Sequence, residues 1–289
     1  MKSGDGAKKQ LPVVLPPVPD ELLSSWIARH AAFYGVSLRA MLRHADPDAR
    51  SRRAADAHLT QEQEELLAHI FRREVLDIRR MTFANISSSA RRLVAAKPIQ
   101  ACSACATKNK SADANAAILR SWLQAWRITC PVCGYQLSVA GQGSATNSGE
   151  SLPSLASSEE ALGGERLLDD YAERGAQTWA SPIDLLRLLL IRRDPKPIDP
   201  DHWIETPKVL DLVVPGFDRQ AETAGTPIPS GDRPILPLAL RPALLAGIAI
   251  VERSGPEIIA KLHARTIGAS HVHFGTIAAR ILAPEPSTS

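Results

Sequence analysis

Apolar residues recur every three to four positions in several stretches of the chain, which is the spacing of amphipathic α-helices. The first stretch follows Asp20, its expected N-cap, and ends at Gly35. Ser37 is expected to cap a second helix, and Thr60 with Gln63 predicts the capping box of a further one. Two helices joined by a short turn at Gly35 are a helix-turn-helix candidate.

The second half of the chain continues the helical pattern, but prolines interrupt it. Nine prolines fall within residues 194–237, so loops with short helical pieces are expected there. The last two predicted helices form a second helix-turn-helix candidate. Helices are predicted over residues 164–175, 181–193, 241–251, 256–265 and 272–282. The chain is therefore predicted to be mainly α, with an N-terminal helix-turn-helix module and a C-terminal α-helical region.

The only four cysteines form two matched pairs, Cys102-Ser-Ala-Cys105 and Cys130-Pro-Val-Cys133. Each pair fits a tight turn that points two sulfurs at one ion, and zinc prefers a tetrahedron of such ligands. Four cysteines complete the coordination shell and leave no position for water, so we expect one structural Zn²⁺ per chain in a central four-cysteine zinc-finger module. Two disulfides or four free thiols are the alternatives.

Two tryptophans lie in the 24 residues between the cysteine pairs. Trp122 and Trp126 are four positions apart, which predicts that they share one face of a helix. A metal module has little core of its own, so these rings are expected to cover one side of the site, with base stacking as the alternative.

Charge is distributed unevenly between the two halves. Residues 1–135 hold 20 Lys and Arg against 12 Asp and Glu, whereas residues 136–289 hold 14 against 19. The basic half is where nucleic acid would be expected to bind, although solvated helix faces explain the same balance. Arginine doublets in this half are candidate phosphate contacts: Arg72, Arg73, Arg79, Arg80, Arg91 and Arg92.

Composition and missing motifs narrow the class of protein. The hydrophobic content of 44% is typical of a soluble globular protein. The N-terminus lacks a secretory pattern, and prolines and a charge interrupt the longest apolar stretch, residues 236–251, so we expect a cytoplasmic protein without a membrane span. No catalytic motif is present, and the pair Asp169-Asp170 is assigned to the solvated face of a charged helix. A non-enzymatic function is therefore predicted.

The order of these patterns predicts six segments along the chain. They are a flexible N-terminal arm at 1–19, a helical helix-turn-helix domain at 20–100, the four-cysteine zinc module at 101–140, a Gly/Ser-rich linker at 141–163, a C-terminal helical domain with Pro-rich loops at 164–282, and a flexible tail at 283–289.

Three stretches together resemble the TniQ family, the target-selection proteins of heteromeric transposition systems. They are the opening motif from Leu15 to Arg29 followed by Tyr34-Gly35 and Leu42-Arg43-His44, the triplet Met81-Thr82-Phe83, and the segment with Arg120, Trp122, Trp126 and Cys130-Pro131-x-Cys133-Gly134. Family members often carry histidine where this chain has Cys133. Because cysteine is an equally competent ligand, the expected zinc site is unaffected.

The resemblance covers about residues 12–140 and implies a nonenzymatic adaptor. Family members carry helix-turn-helix and zinc-finger modules, contact DNA or a DNA-bound targeting complex, and recruit the AAA+ ATPase that licenses a separate transposase. In some systems the targeting complex is an RNA-guided CRISPR effector, and homodimers are expected there. The alternative is a zinc-containing helix-turn-helix transcription regulator that reads duplex DNA by itself.

Overall fold

A computed structural model describes residues 9–45, 52–110, 116–141, 158–194, 206–224, 235 and 237–283 of the 289-residue chain. These residues form thirteen α-helices and a single two-stranded sheet, which confirms the prediction of a mainly α protein. They divide into two compact units. The first comprises Met1–Ile86, Ala96–Gln124 and Thr129–Gly141, and the second comprises Ser87–Ala95, Ala125–Ile128 and Gln142–Ser289.

The first unit is built from six short helices and the small sheet. Its helices are α1 (Leu23–Phe33), α2 (Leu38–Ala45), α3 (Arg52–Ala57), α4 (Gln61–Phe71), α5 (Val75–Arg80) and α6 (Ser103–Lys110), with a 3₁₀ helix at Arg120–Trp122. Strands β1 (Gln100–Ala101) and β2 (Ser138–Val139) are antiparallel, with Gln100 opposite Val139 and Ala101 opposite Ser138.

The second unit contains the remaining helices. They are α7 (Glu159–Arg174), α8 (Pro182–Leu189), α9 (Leu210–Val213), α10 (Phe217–Thr223), α11 (Arg241–Ser254), α12 (Glu257–His263) and α13 (Gly268–Leu282), preceded by a 3₁₀ helix at Ala90–Leu93. None of the described helices is long and apolar enough to cross a membrane. Most of the predicted linker, residues 142–157, and the tail after residue 283 lie outside the described residues.

Helix α1 begins later than predicted, and Asp20 is not its N-cap. The N-cap is Leu22, whereas Asp20 has a left-handed φ of 63°. Its carboxylate accepts a hydrogen bond from the amide of Ser121 at 3.0 Å, and its carbonyl accepts one from the amide of Arg120 at 2.7 Å. The apolar spacing predicts the helix itself correctly. Asp20 does not cap it, because its carboxylate and carbonyl accept hydrogen bonds from the distant amides of Ser121 and Arg120.

Two other predicted helix starts in the first unit, at Ser37 and Thr60, are confirmed. The hydroxyl of Ser37 accepts from the amide of Ala40 at 3.1 Å at the start of α2. Thr60 and Gln63 form the reciprocal capping box of α4, with N···O distances of 3.2 and 2.8 Å. Local hydrogen bonds of this kind depend only on nearby residues, which explains why the sequence predicts them.

The core of the first unit is centred on a tryptophan in α1. The Trp26 ring is fully buried, and its centroid lies 4.7 Å from that of Phe71 in α4 and 4.8 Å from that of His30. Around these rings pack buried apolar side chains from α1, α2, α4 and α5. They include Leu23, Ile27, Met41, Leu42, Leu67, Ile70 and Ile78.

The chain ahead of α1 is bound to the first unit in an extended form. The Tyr34 hydroxyl bonds both backbone groups of Val13 at 2.7 Å. The Leu15 amide donates to Nε2 of His30 at 2.9 Å, and its carbonyl accepts from Nε1 of Trp26 at 3.0 Å. These bonds hold part of the arm that was expected to be flexible, while residues 1–8 lie outside the described residues.

In the second unit, α7 packs against α11 with unusually close backbone contact. A Cβ placed on Gly164 of α7 would lie 1.9 Å from the carbonyl oxygen of Leu245 in α11. A Cβ on the neighbouring Gly163 would meet Ala249 at an ordinary 3.6 Å. Only glycine at position 164 permits this approach, because any larger residue would overlap backbone atoms.

A buried and a partly buried group of ion pairs connect distant residues in the second unit. The guanidinium of Arg193 lies 3.1 Å from Asp211 and 3.3 Å from Asp218. Asp169 of α7 pairs with Arg127 and accepts from the indole of Trp126 at 3.3 Å. The assignment of the pair Asp169-Asp170 to a solvated face is wrong for Asp169, whose side chain is only 26% exposed and has distant partners. Asp170 is 43% exposed and pairs with Arg174 of the same helix.

We predict that Gly164→Ala strongly destabilises the second unit, whereas Gly163→Ala does not. The methyl group at 164 would overlap the Leu245 carbonyl, and overpacking of this kind costs about 1–3 kcal/mol or more. At 163 the methyl group has room, and alanine is favoured over glycine in a helix by about 1 kcal/mol. Chemical denaturation of both variants provides the measurement, and equal shifts of their midpoints would contradict the close approach.

We also predict that His30 makes the first unit less stable in mild acid. The Leu15 amide donates to Nε2, so Nδ1 carries the proton that is shared with the Trp26 carbonyl at 2.9 Å, and the ring is neutral. Burial lowers the His30 pKa below 6.5, and the nearby charges of Arg29 and Arg73 lower it further. The hydrogen bond to the Trp26 carbonyl opposes this shift. The stabilisation is complete above pH 6.5 and declines as the pH falls through the folded-state pKa.

Denaturation curves at pH 7.5 and 5.5 test this dependence on His30. The pH-dependent loss of stability should shrink in His30→Gln, which cannot be protonated. The matched control is His69→Gln, which replaces an exposed histidine of α4 and should keep the wild-type pH dependence. The same pH dependence in His30→Gln as in the wild type would rule out this role for His30.

Candidate metal centre

The four cysteine sulfurs converge on one point. All four Sγ atoms lie within 4.8 Å of one another, and three of the separations are 3.4, 3.7 and 3.7 Å. A tetrahedron of sulfurs about 2.3 Å from a central zinc has edges of about 3.8 Å. The distances are much longer than the roughly 2.05 Å of a disulfide, so the arrangement fits a shared metal ion rather than two covalent pairs.

The first pair of ligands sits where a strand passes into a helix. Cys102 directly follows β1, and Cys105 lies in the first turn of α6. The amide of Ala106 donates to the carbonyl of Cys102 at 2.8 Å, which closes the turn between the two side chains. Both thiols are buried.

The second pair sits on a tight turn between short extended segments. The Cys130 amide donates to the Tyr135 carbonyl, and the Gly134 amide donates to the Cys130 carbonyl, both at 2.8 Å. Gly134 has a φ of 77°, a conformation that favours glycine. Strand β2 follows this turn and pairs with β1, so the sheet brings the second pair of cysteines to the first.

The sulfur cluster is buried on one side and open on the other. Cys130 is buried, whereas Cys133 is exposed. Burial raises the pKa of the Cys105 and Cys130 thiols, whereas a hydrogen bond involving the backbone of Tyr135 lowers the pKa of Cys133. A divalent cation would offset the desolvation of buried thiolates, and no polar group other than the sulfurs is required to complete its shell.

The tryptophans between the cysteine pairs do not share a helix face, contrary to the prediction. The described residues from 116 to 128 contain only the 3₁₀ helix Arg120–Trp122, so the spacing of four has no α-helical meaning here. Trp122 belongs to the first unit and Trp126 to the second. Both rings are buried, which agrees with a core role rather than base stacking.

The opening motif forms hydrogen bonds with the segment between the cysteine pairs. Glu21 and Leu119 form an antiparallel bridge, and the amide of Leu22 donates to the carbonyl of Ile118 at 2.9 Å. In return, the Ile118 amide donates to the hydroxyl of Ser25 at 2.8 Å. The two stretches most typical of the family resemblance therefore belong to one folded structure.

A buried ion pair fixes the opening motif itself. The Glu21 carboxylate accepts hydrogen bonds from Nε and Nη2 of Arg29, each at 2.8 Å. It also accepts one from the amide of Val18 at 2.9 Å. The Glu21 side chain is fully buried. Arg29 also donates to the carbonyl of Pro16 at 2.7 Å, which ties the preceding proline segment to α1.

The six arginines predicted to contact phosphate occupy different environments. Arg72 donates to the carbonyls of Leu11 and Pro12, and Arg79 pairs with the buried Glu64. Arg73 is half-buried, while the side chains of Arg80, Arg91 and Arg92 are exposed. Arg72 and Arg79 thus have structural partners, and a role of any of the six in nucleic-acid binding remains a prediction.

These features define a class of protein: a helical domain that contains a four-cysteine site able to hold a metal ion. The model of the TniQ family matches residues 12–137, which contain both the opening motif and all four cysteines. This region is therefore a TniQ domain, and the match associates the chain with transposition. No curated protein and no solved structure matches the chain.

We predict that the purified protein contains one zinc ion per chain and that Cys102→Ser and Cys130→Ser lose it. Zinc binding contributes about 10–16 kcal/mol of apparent free energy in zinc-finger peptides, so loss of the ion should unfold this part of the first unit. Elemental analysis and circular dichroism before and after chelation provide the measurements.

Cys133→His is the informative companion variant. Histidine is a competent zinc ligand, so this variant should retain the metal, whereas Cys133→Ser should bind it more weakly. Ser103→Ala, an exposed change between Cys102 and Cys105, is the matched control and should leave the zinc content unchanged. Full stability of the Cys102→Ser protein in chelator would exclude a structural metal.

Proposed function

We propose that this chain is a TniQ-like transposition adaptor. In this function it selects the target site by binding DNA or a DNA-bound targeting complex, and it recruits the AAA+ transposition ATPase. The reaction chemistry is performed by a separate transposase, so the chain itself is not an enzyme. In a CRISPR-associated system the targeting complex is an RNA-guided effector, and the adaptor would act there as a homodimer.

The TniQ match over residues 12–137 carries this proposal. The structure supports it because the opening motif and the four-cysteine segment are hydrogen-bonded into one unit rather than existing as separate motifs. Helix pairs α1–α2 and α12–α13 are the helix-turn-helix candidates for contact with nucleic acid or nucleoprotein.

In this proposal zinc holds the geometry of a docking surface. The turn that carries Cys133 presents apolar side chains to solvent, with Tyr135 exposed by 66% and Val132 by 39%. Val139 on β2 is exposed by 41% nearby in sequence. Aromatic and apolar residues on a rigid turn are typical anchors of protein interfaces, so we assign the contact with the ATPase to this turn.

The test is a pull-down of the ATPase from the same transposition system by the purified full-length chain. Capture should require a non-hydrolysable ATP analogue and duplex DNA, and Tyr135→Ser combined with Val132→Ser should reduce it at least tenfold. The matched control combines Val13→Ser with Leu76→Ser, two apolar residues of the first unit that lie outside α1 and α2 and are exposed by 46% and 59%.

Two results would count against this function. Absence of ATPase capture under every nucleotide and DNA condition would contradict the adaptor role. Specific duplex binding by the chain alone, with a Kd of about 10⁻⁸–10⁻¹¹ M at physiological salt, would instead indicate a zinc-containing transcription regulator.

A further inference from the structure

A groove of about 420 Å³ in the second unit gathers basic side chains from four separate segments. Its polar lining comes from the end of α8, the residues that follow it, the segment before α9, and α13. The main residues are Arg187, Arg192, Lys208, Ser270 and Arg280, with Ile277 on the apolar side. No Asp or Glu belongs to the described lining, so positive charge dominates the groove.

Two of the four basic side chains in the groove, Arg187 and Arg280, share one carboxylate as their counter-ion. Asp184 lies beside the groove in α8, and its carboxylate pairs with Arg187 at 3.0 Å and also with Arg280. One carboxylate offsets only one of these two guanidinium charges. This end of the groove therefore retains positive charge even though both arginines are held in place.

The ammonium group of Lys208 forms no direct ion pair with a described residue, although the charge of Asp218 acts on it. The Lys208 amide donates to both carboxylate oxygens of Asp218, at 3.0 and 3.2 Å, which fixes the backbone. Burial lowers the pKa of its ammonium group; the charge of Asp218 opposes this shift, and that of Arg192 adds to it. An anion bound in the groove would offset both the desolvation cost of the Lys208 ammonium group and its repulsion from Arg192.

Helix α13 adds its N-terminus to the same groove. Ala269 and Ser270, in its first turn, belong to the lining. The first amide groups of a helix have no partner within the helix, and the helix dipole places partial positive charge at this end. Helix N-termini next to Arg and Lys side chains are a recurrent arrangement for binding phosphate.

We propose that this groove binds a phosphate group, carried either by a nucleic-acid backbone or by free phosphate. The four basic side chains, only partly neutralised by Asp184, and the N-terminus of α13 together match the charge and hydrogen-bonding capacity of that group. The groove lies in the acidic half of the chain, outside the six arginines that the sequence singles out and outside the TniQ domain. Binding of a nucleic-acid backbone would deepen the proposed adaptor function and rests on it, because α13 belongs to one of the helix-turn-helix candidates. Binding of free phosphate does not rest on that function.

The test compares two double variants of the full-length protein. Arg192→Gln with Lys208→Gln removes two charges from the groove. The matched control, Arg166→Gln with Arg253→Gln, removes the same charge from two exposed arginines of the second unit that do not line it. One arm titrates a fluorescent duplex of about 25 base pairs at several salt concentrations by anisotropy. The other titrates inorganic phosphate and pyrophosphate by calorimetry at constant ionic strength.

If the backbone is the ligand, the groove variant should bind duplex about tenfold more weakly, with a salt slope reduced by roughly two. If free phosphate is the ligand, only the calorimetric signal should disappear. Either result supports the site, and equal behaviour of the groove and control variants in both arms overturns it. The charge-preserving variant Arg192→Lys with Lys208→Arg should retain binding, which separates loss of charge from loss of folding.

Discussion

The buried carboxylate of Glu21 is the constraint around which the first unit is organised. A carboxylate removed from water is costly unless charged and polar partners surround it. Arg29 satisfies it from within α1, and Val18 does so from the extended segment ahead of the helix. Because both partners must be in place together, the proline-containing segment, the start of α1 and the bridge at Leu119 form a single arrangement. Replacing Arg29 would leave the buried Glu21 carboxylate with the neutral donors Val18 and Ser25 in place of a charged partner.

The loop between the cysteine pairs is constrained at three points. The sulfur cluster closes its ends, the β1–β2 pairing aligns them, and the opening motif binds its middle at Ile118 and Leu119. Closing a loop of this length costs conformational entropy, and these three contacts offset that cost. A metal ion held by the four sulfurs would fix the ends of this loop, while the opening motif binds its middle.

Local signals account for what the sequence predicts correctly. Helical periodicity, the capping box at Thr60 and the two Cys-x-x-Cys turns all depend on residues within a few positions of one another. The prediction fails where a side chain has a distant partner: Asp20 binds the amide of Ser121, and Asp169 pairs with Arg127. The basic groove cannot be predicted from the sequence for the same reason. Its basic side chains come from four segments, and Lys208 lies in the proline-rich region.

The two units are interleaved along the chain, so the limits of family similarity are not those of a folding unit. Residues 125–128 lie within the matched region but belong to the second unit, where the Ile128 amide donates to Glu165 and the indole of Trp126 donates to Asp169. A fragment that stops after the zinc segment would leave these buried side chains without their partners in α7. The region that matches the TniQ family therefore does not coincide with a single compact unit of this chain.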